Sequence, residues 1–367
     1  MQKPEKRGCL EKIKPYVPGK PIEEVKRELG LTDVIKLASN ENPLGPSPKA
    51  QEAMREAIPR VNYYPDGNCF ELKRALCEKL AVQEDQLIIG NGSDEILKLL
   101  AETYLEPEDE VIMPQPSFSE YEFVTRIMGS NINYYDLEPD FSYDLQKMLD
   151  MVTDRTRFVF ICTPNNPTGT IAYKKQLEDF LKKLPDGVIT VLDEAYYEYA
   201  TDPEYPESLN YVREEKPVLV LRTFSKIYGL AGLRVGYGIA PAPIIQDLNR
   251  VREPFNVNSM AQAAATSALY DEEHLRRSQE MVKNGREQIN KGLQKIGLEP
   301  VYTQANFFFL DTGVDSQALF QCMLKRGMIV RTGDIFGYPT HIRVNYGTEE
   351  QNERFLTVLQ EALEELR

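Results

Sequence analysis

The feature that most restricts the fold of this chain is a series of short apolar runs between residues 87 and 240. Leu87–Gly90, Val111–Met113, Phe158–Cys162, Val188–Asp193, Val218–Thr223 and Tyr237–Ala240 are rich in β-branched residues, and several have no polar face. Runs of that kind read as strands covered on both sides. Helical patterns lie between them, among them Glu95–Leu105 and Lys174–Leu184. The alternation predicts an α/β architecture, a large domain with a mostly parallel sheet between helices.

Beyond Pro254 the texture changes. A long helical stretch from Met260 to Ile296 precedes three strand-like runs, Phe307–Leu310, Gly327–Arg331 and His341–Asn345, and a final helix, Glu349–Leu366. Residues 1–36 form a polar lead-in that ends in a short amphipathic helix, Pro21–Leu29, stopped by Gly30. The expected division is a large domain, 37–254, and a smaller α+β domain made of 1–36 plus 255–367. The Pro- and Asn-rich stretch Ser39–Pro48 reads as an ordered loop.

Composition narrows the function classes. The formal charge of -14 argues against nucleic acid or an anionic membrane as the partner. The 5 cysteines are scattered without a C-x-x-C pair, against both a disulfide framework and a zinc ribbon. With only 2 histidines, His274 and His341, no His-rich metal site is expected, and no metal is assigned. His274, in a charged helical stretch, reads as a solvated surface residue, His341 as a strand-edge residue and Cys162 as core. The charged N-terminus lacks the apolar segment of a secretory signal, and no run approaches the ~20 apolar residues of a membrane helix. A cytoplasmic protein is expected.

Four features fall at the C-terminal ends of the expected parallel strands, where open α/β sheets place ligands. Gly90-Asn-Gly-Ser-Asp-Glu95 is a strand–turn–helix junction suited to a phosphate, although Ser93 or Asp94 capping the helix explains it equally well. Thr163-Pro-Asn-Asn-Pro-Thr-Gly169 is a turn that could aim an amide at a ligand. Asp193 closes an apolar strand, where a carboxylate needs a cation or donors. Lys226 follows another such strand and is trailed by glycines and Arg234. Together these answer one chemical problem: pyridoxal 5'-phosphate (PLP) needs an amine for its aldehyde, a carboxylate to keep its ring nitrogen protonated, and a phosphate anchor. Lys226, Asp193 and the set Ser93, Ser225 and Arg234 supply them, with Asn166 and Tyr196 available to the ring oxygen.

At these residues the chain resembles the fold-type I PLP aminotransferases, and within them the histidinol-phosphate aminotransferases. The blocks that carry the likeness are PYVPGKP, LASNENPLGPSP, YYPDG, GNGSDE, PNNPTG, VLDEAYYEY, RTFSKIYGLAGLRVGYG and HIRVNYGTEEQNERFL. The resemblance implies that Lys226, Asp193 and Tyr196 carry the chemistry. It implies a cofactor site of Gly92, Ser93, Asp94, Phe118, Asn166, Thr223, Ser225 and Arg234, with Phe118 stacked where relatives often have tyrosine. Tyr64 would reach the neighbouring subunit's cofactor, which implies a homodimer. Tyr16, Asn40, Arg331 and Arg343 would contact substrate. The implied reaction exchanges an amino group between histidinol phosphate and 2-oxoglutarate, or runs in reverse from imidazole-acetol phosphate and glutamate.

Three rivals share much of this pattern. An aromatic-amino-acid or dual-specificity aminotransferase would use the same cofactor residues. A threonine-phosphate decarboxylase would use the same lysine and release carbon dioxide. A non-catalytic sensor module would need an added DNA-binding domain, and the family-like blocks begin at about residue 15.

Overall fold

The computed structural model describes residues 4–13, 15 and 19–367. Twelve strands are present among them: β1 (Ile35–Lys36), β2 (Leu87–Gly90), β3 (Glu110–Gln115), β4 (Asn131–Asp136), β5 (Thr156–Cys162), β6 (Ile189–Asp193), β7 (Val218–Thr223), β8 (Gly236–Ile239), β9 (Phe307–Asp311), β10 (Met328–Ile329), β11 (Arg331–Thr332) and β12 (His341–Asn345). Strands β2 to β8 form one sheet in the order β2-β8-β7-β6-β5-β3-β4. From β4 to β7 every pairing is parallel, and β8 runs antiparallel to both of its neighbours.

Alternation along β5 explains how the sheet is held. Phe158, Phe160 and Cys162 enter one apolar layer with helices Ser93–Tyr104, Ser119–Met128 and Ala242–Val251. Val159 and Ile161 enter the opposite layer with helices Phe70–Leu80 and Lys174–Lys183. Successive side chains point to opposite faces, so a strand between two helical layers must be apolar at every position. Strands β6 and β7 are buried throughout. All six runs read as strands form strands. The seventh, β4, was not expected: it is the sheet edge, its sequence is NINYYD, and only Tyr135 is buried. An edge strand keeps polar residues and so lacks the apolar run.

Two expectations for the C-terminal part are corrected. The stretch Met260–Ile296 is two helices, Ser259–Leu269 and Glu272–Lys295, parted at Tyr270 and Asp271, with the Asp271 carboxylate capping the second by accepting from the His274 N–H. The run Gly327–Arg331 is two strands serving two sheets. Strand β10 pairs in parallel with β1 from the lead-in, and β11 joins β12 and β9 in an antiparallel sheet of order β11-β12-β9. Helix Ser259–Leu269 packs against helices Pro48–Ala57 and Phe70–Leu80.

His274 is buried, not solvated. It shares the inward face of its helix with Ser278, Val282, Gly285, Ile289 and Leu293, at spacings of three and four. The charged neighbours that suggested a surface site occupy the other faces. Cys162 is buried as expected, and His341 opens β12. Among the described residues no helix is long and apolar enough to cross a membrane.

Beneath the ends of β6 and β7 lies a buried ion pair. The Arg222 guanidinium donates to Glu194 Oε2 through Nε at 2.9 Å, its Nη2 lies 2.8 Å from the same oxygen, and its central carbon lies 3.6 Å from the centroid of the Tyr197 ring. Removing one charge leaves the other uncompensated in a dry site. Glu194→Gln is therefore expected to destabilise the chain by ~3 kcal/mol, read as a lower urea midpoint at unchanged m-value.

Candidate active site

A cavity of about 250 Å³ opens where β5, β6 and β7 end, with Cys162, Asp193 and Thr223 in its wall. The C-terminal ends of parallel strands meet the start of the following segments there, so loops from distant parts of the chain converge.

One wall is the start of helix Ser93–Tyr104. Its N-cap is Gly92 at φ 79, and no side chain caps it, so neither Ser93 nor Asp94 has the capping role that the sequence left open. The N–H groups of the first turn and the positive end of the helix dipole therefore border the cavity. A Cβ on Gly92 would stand 2.7 Å from Arg234 Nη2, so only glycine lets that guanidinium close over the turn. Arg234 is held by Asp94 Oδ2 at 3.0 Å, Ser225 Oγ at 3.4 Å and the Ala231 carbonyl at 3.3 Å. Ser225 in turn donates its N–H to Thr223 Oγ1 at 3.0 Å. An open helix start beside a guanidinium and hydroxyls is a receptor for a phosphate-sized anion.

Lys226 and Asp193 form the floor. Burial pushes the Lys226 amine down to about 8, and the Arg343 guanidinium adds to the effect. Its Nζ lies 3.4 Å from the Ser39 carbonyl and 5.5 Å from the centroid of the Tyr196 ring. Asp193 is 3% exposed, and burial raises its carboxyl to about 6. Its oxygens accept from two neutral donors, the Tyr121 hydroxyl at 2.6 Å and the Ala195 N–H at 3.1 Å.

The third wall couples Asn40, Asn166, Tyr196 and Arg343, all buried. Arg343 donates to Asn166 Oδ1 at 2.5 Å and to the Ala38 carbonyl at 2.6 Å. With its oxygen so engaged, Asn166 has its amide N–H₂ left to donate. Asn40 Nδ2 donates to the Tyr196 hydroxyl at 2.9 Å, which leaves that hydroxyl's own proton for another acceptor. Asn165, by contrast, donates to Thr168 Oγ1 in its own loop and to the Pro116 carbonyl after β3, tying the two segments together. Phe118 and Arg331 also line the cavity. Tyr64 does not: it is 81% exposed and stacked on Phe255 at 4.8 Å. Tyr16 lies outside the described residues.

Four contributors escaped sequence reasoning. Tyr121 reaches Asp193 from helix Ser119–Met128, a segment to which no motif drew attention. The Ala38 and Ser39 carbonyls act through backbone atoms, which no residue type announces. Asn42 donates to the Ile227 carbonyl at 2.8 Å and to Ser278 Oγ at 2.9 Å, clamping the turn after Lys226. There Gly229, at φ 68, would place a Cβ 2.2 Å from the Gly45 carbonyl oxygen, so the clamp also requires glycine. The motif Ser39–Pro48 marked this loop as ordered without revealing what it holds. Among the described residues no group of His, Cys, Asp and Glu is arranged to hold a metal.

A buried amine near 8 is partly neutral at neutral pH, unlike an exposed lysine at ~10.4. Competitive acetylation followed by peptide mass spectrometry is therefore expected to give a labelling midpoint near pH 8 at Lys226, with surface lysines titrating about two pH units higher.

The comparisons agree with this geometry. The family model described as aminotransferase class I and II matches residues 32–359. The chain is 56% identical over 361 residues to a histidinol-phosphate aminotransferase of Moorella thermoacetica, covering 98% of this chain and 93% of that one. It is 48% identical over 357 residues to one of Caldicellulosiruptor saccharolyticus, covering 97% and 99%. Among solved structures, a histidinol-phosphate aminotransferase from Sinorhizobium meliloti in complex with pyridoxal-5'-phosphate superposes with a TM-score of 0.90 at 25% identity, over 98% of this chain and 97% of that one. The match runs through both the sheet and the C-terminal strands, and the chain belongs to the class I and II aminotransferases.

Proposed function

We propose that the chain is a PLP-dependent histidinol-phosphate aminotransferase of histidine biosynthesis, acting in the cytoplasm as a homodimer. The observation that carries this reading is the meeting of Lys226, Asp193 and an uncapped helix start on one cavity, in a chain that is 56% identical to an enzyme of that name. The proposed lobes are residues 37–254, which would hold the cofactor, and 1–36 with 255–367.

The residues fit PLP. Gly92, Ser93, Asp94, Thr223, Ser225 and Arg234 would cradle the phosphate, Phe118 would stack on the ring, and the buried Asp193 would meet the ring nitrogen. Asn40 Oδ1, in the same wall, is buried with no hydrogen-bond partner, as expected of a site shaped for a polar ligand. When bound, PLP supplies an aldehyde that bonds amines and a ring that withdraws electrons from the carbon next to the transferred nitrogen.

Lys226 has two tasks in this reading. Its neutral amine would hold the cofactor, and its Nζ, freed when substrate binds, would take the proton from the substrate α-carbon and deliver it to the cofactor carbon on the far side of the transferred nitrogen. Burial favours the neutral amine that both tasks need. Asp193, as an anion, would keep a proton on the ring nitrogen. Asn166 and Tyr196 would donate to the ring oxygen, each oriented by the partner on its other side, Arg343 and Asn40. Arg343 would bind the substrate's anionic group, because its planar fork pairs equally with the carboxylate of glutamate and the phosphate of histidinol phosphate. Arg331 and Asn40 line the same space and would complete the substrate site.

The dimer rests on the surface around Tyr64. Ile58, Val61, Tyr63, Tyr64, Phe70 and Phe255 are all large, apolar and exposed. Such a patch favours an interface, and Tyr64, outside its own cavity, would serve the neighbouring one.

Two expected outcomes test the reading. Mixed separately with histidinol phosphate, glutamate and phenylalanine, the PLP-loaded protein should lose its visible band quickly with the first two and at least tenfold more slowly with phenylalanine. Equal or faster conversion by phenylalanine would assign it to aromatic amino acids, and Lys226→Ala should lose both band and turnover. Arg331→Ala should raise KM for histidinol phosphate about tenfold while leaving kcat nearly unchanged, as loss of one charged contact predicts; equal KM values would remove Arg331 from the substrate site.

A further inference from the structure

We propose that Tyr121 is a positioning residue for the reaction: its buried hydroxyl donates to Asp193 Oδ2 and holds that carboxylate, as an anion, ready for the ring nitrogen of the cofactor. The inference rests on the PLP reading above and extends it to a residue outside the cavity wall.

The geometry is restrictive. Tyr121 is fully buried, its ring stacks on Phe160 with centroids 4.5 Å apart and planes 8° from parallel, and it meets Phe118 edge-on at 5.6 Å. Both ring neighbours are fixed elements, β5 and the loop before helix Ser119–Met128, so the hydroxyl has little freedom. It ends 2.6 Å from Asp193 Oδ2, while Ala195 holds the other oxygen. The carboxylate is thus gripped at both oxygens, and the tyrosine supplies the only side-chain donor it receives among the described residues. A short hydrogen bond to an anion in a dry site favours the charged form.

The groups facing Asp193 decide what happens when that bond is lost. Cys162, its register partner on β5, together with Tyr143 and Tyr196, is kept neutral by burial. Lys226, after β7, favours the anion, and Asp94, on helix Ser93–Tyr104, opposes it. Burial already raises Asp193 to about 6, and the Tyr121 bond works against that rise. Tyr121→Phe removes the donor and keeps the ring. The carboxyl then ionises at higher pH, by about one pH unit for a lost bond to a charged group.

The test is the dissociation constant of PLP from the parent and from Tyr121→Phe, at pH 6 and at pH 8.5. Binding to the variant should be about fivefold weaker at pH 6 and less than twofold weaker at pH 8.5, because the carboxylate is ionised in both proteins at the higher pH. In an Asp193→Asn background the same change should lose its pH dependence. Equal binding by parent and variant, or a loss of the same factor at both pH values, would overturn the proposal, the second outcome revealing a packing role alone. A parent protein that binds no PLP would instead bring down the functional reading itself. Circular dichroism of the unliganded variant verifies that it is folded, and if it is not, Asp193→Asn against parent at the two pH values reads the same carboxylate: pH-independent relative binding would overturn the proposal.

Discussion

Much of the site depends on one unfavourable arrangement, a carboxylate buried at the end of a parallel strand. Asp193 sits where β6 leaves the sheet, 3% exposed, and burial alone would drive it neutral. Two neutral donors, the Tyr121 hydroxyl and the Ala195 N–H, moderate that tendency without neutralising the charge. The result is a buried acidic site that, in the proposed function, would meet a positive ring nitrogen. A strong ion pair at this point would have satisfied Asp193 internally and left little affinity for a ligand. The structure places the strong pair one residue on, between Glu194 and Arg222, where it joins β6 to β7 beneath the cavity.

The same division of labour recurs around Lys226. Its amine is held down by burial and by nearby positive charge, and the turn behind it is fixed by Asn42 and by the close approach of Gly229 to Gly45. Asn166 and Tyr196 are each engaged by a neighbour in the cavity wall, Arg343 and Asn40. Each group meant for the ligand thus has its orientation settled beforehand by a neighbour. Preorganisation of this kind removes the need to reorder dipoles during reaction.

How much of this was legible in the sequence follows from where each signal lies. Strands β5, β6 and β7 were legible because a strand between two helical layers is apolar at every position, and Asp193 and Lys226 stood out because one ends such a run and the other follows one. The edge strand β4 was not, since its outward residues are polar. His274 was misjudged because five charged neighbours, Asp271, Glu272, Glu273, Arg276 and Arg277, outweighed the spacing that turns it inward with Ser278 and Val282. Tyr121 carried no signal in the sequence, because its ring packs as any apolar helical residue does and only the position of its hydroxyl brings it to Asp193.

By itself the sequence determined the α/β alternation, the residue types gathered at the strand ends and, through the likeness of its motifs, the chemistry they serve. Local pattern suffices there because strand and helix periods, turn glycines and isolated charges are written within a few residues. The tertiary structure alone decided which partners meet across the chain: Arg343 with Asn166, Asn40 with Tyr196, Tyr121 with Asp193, β1 with β10. These contacts join segments 72 to 293 residues apart, as for Tyr121 with Asp193 and for Ile35 with Met328. Hydrogen bonds at such separations leave no periodic trace, since their geometry depends on how the layers pack.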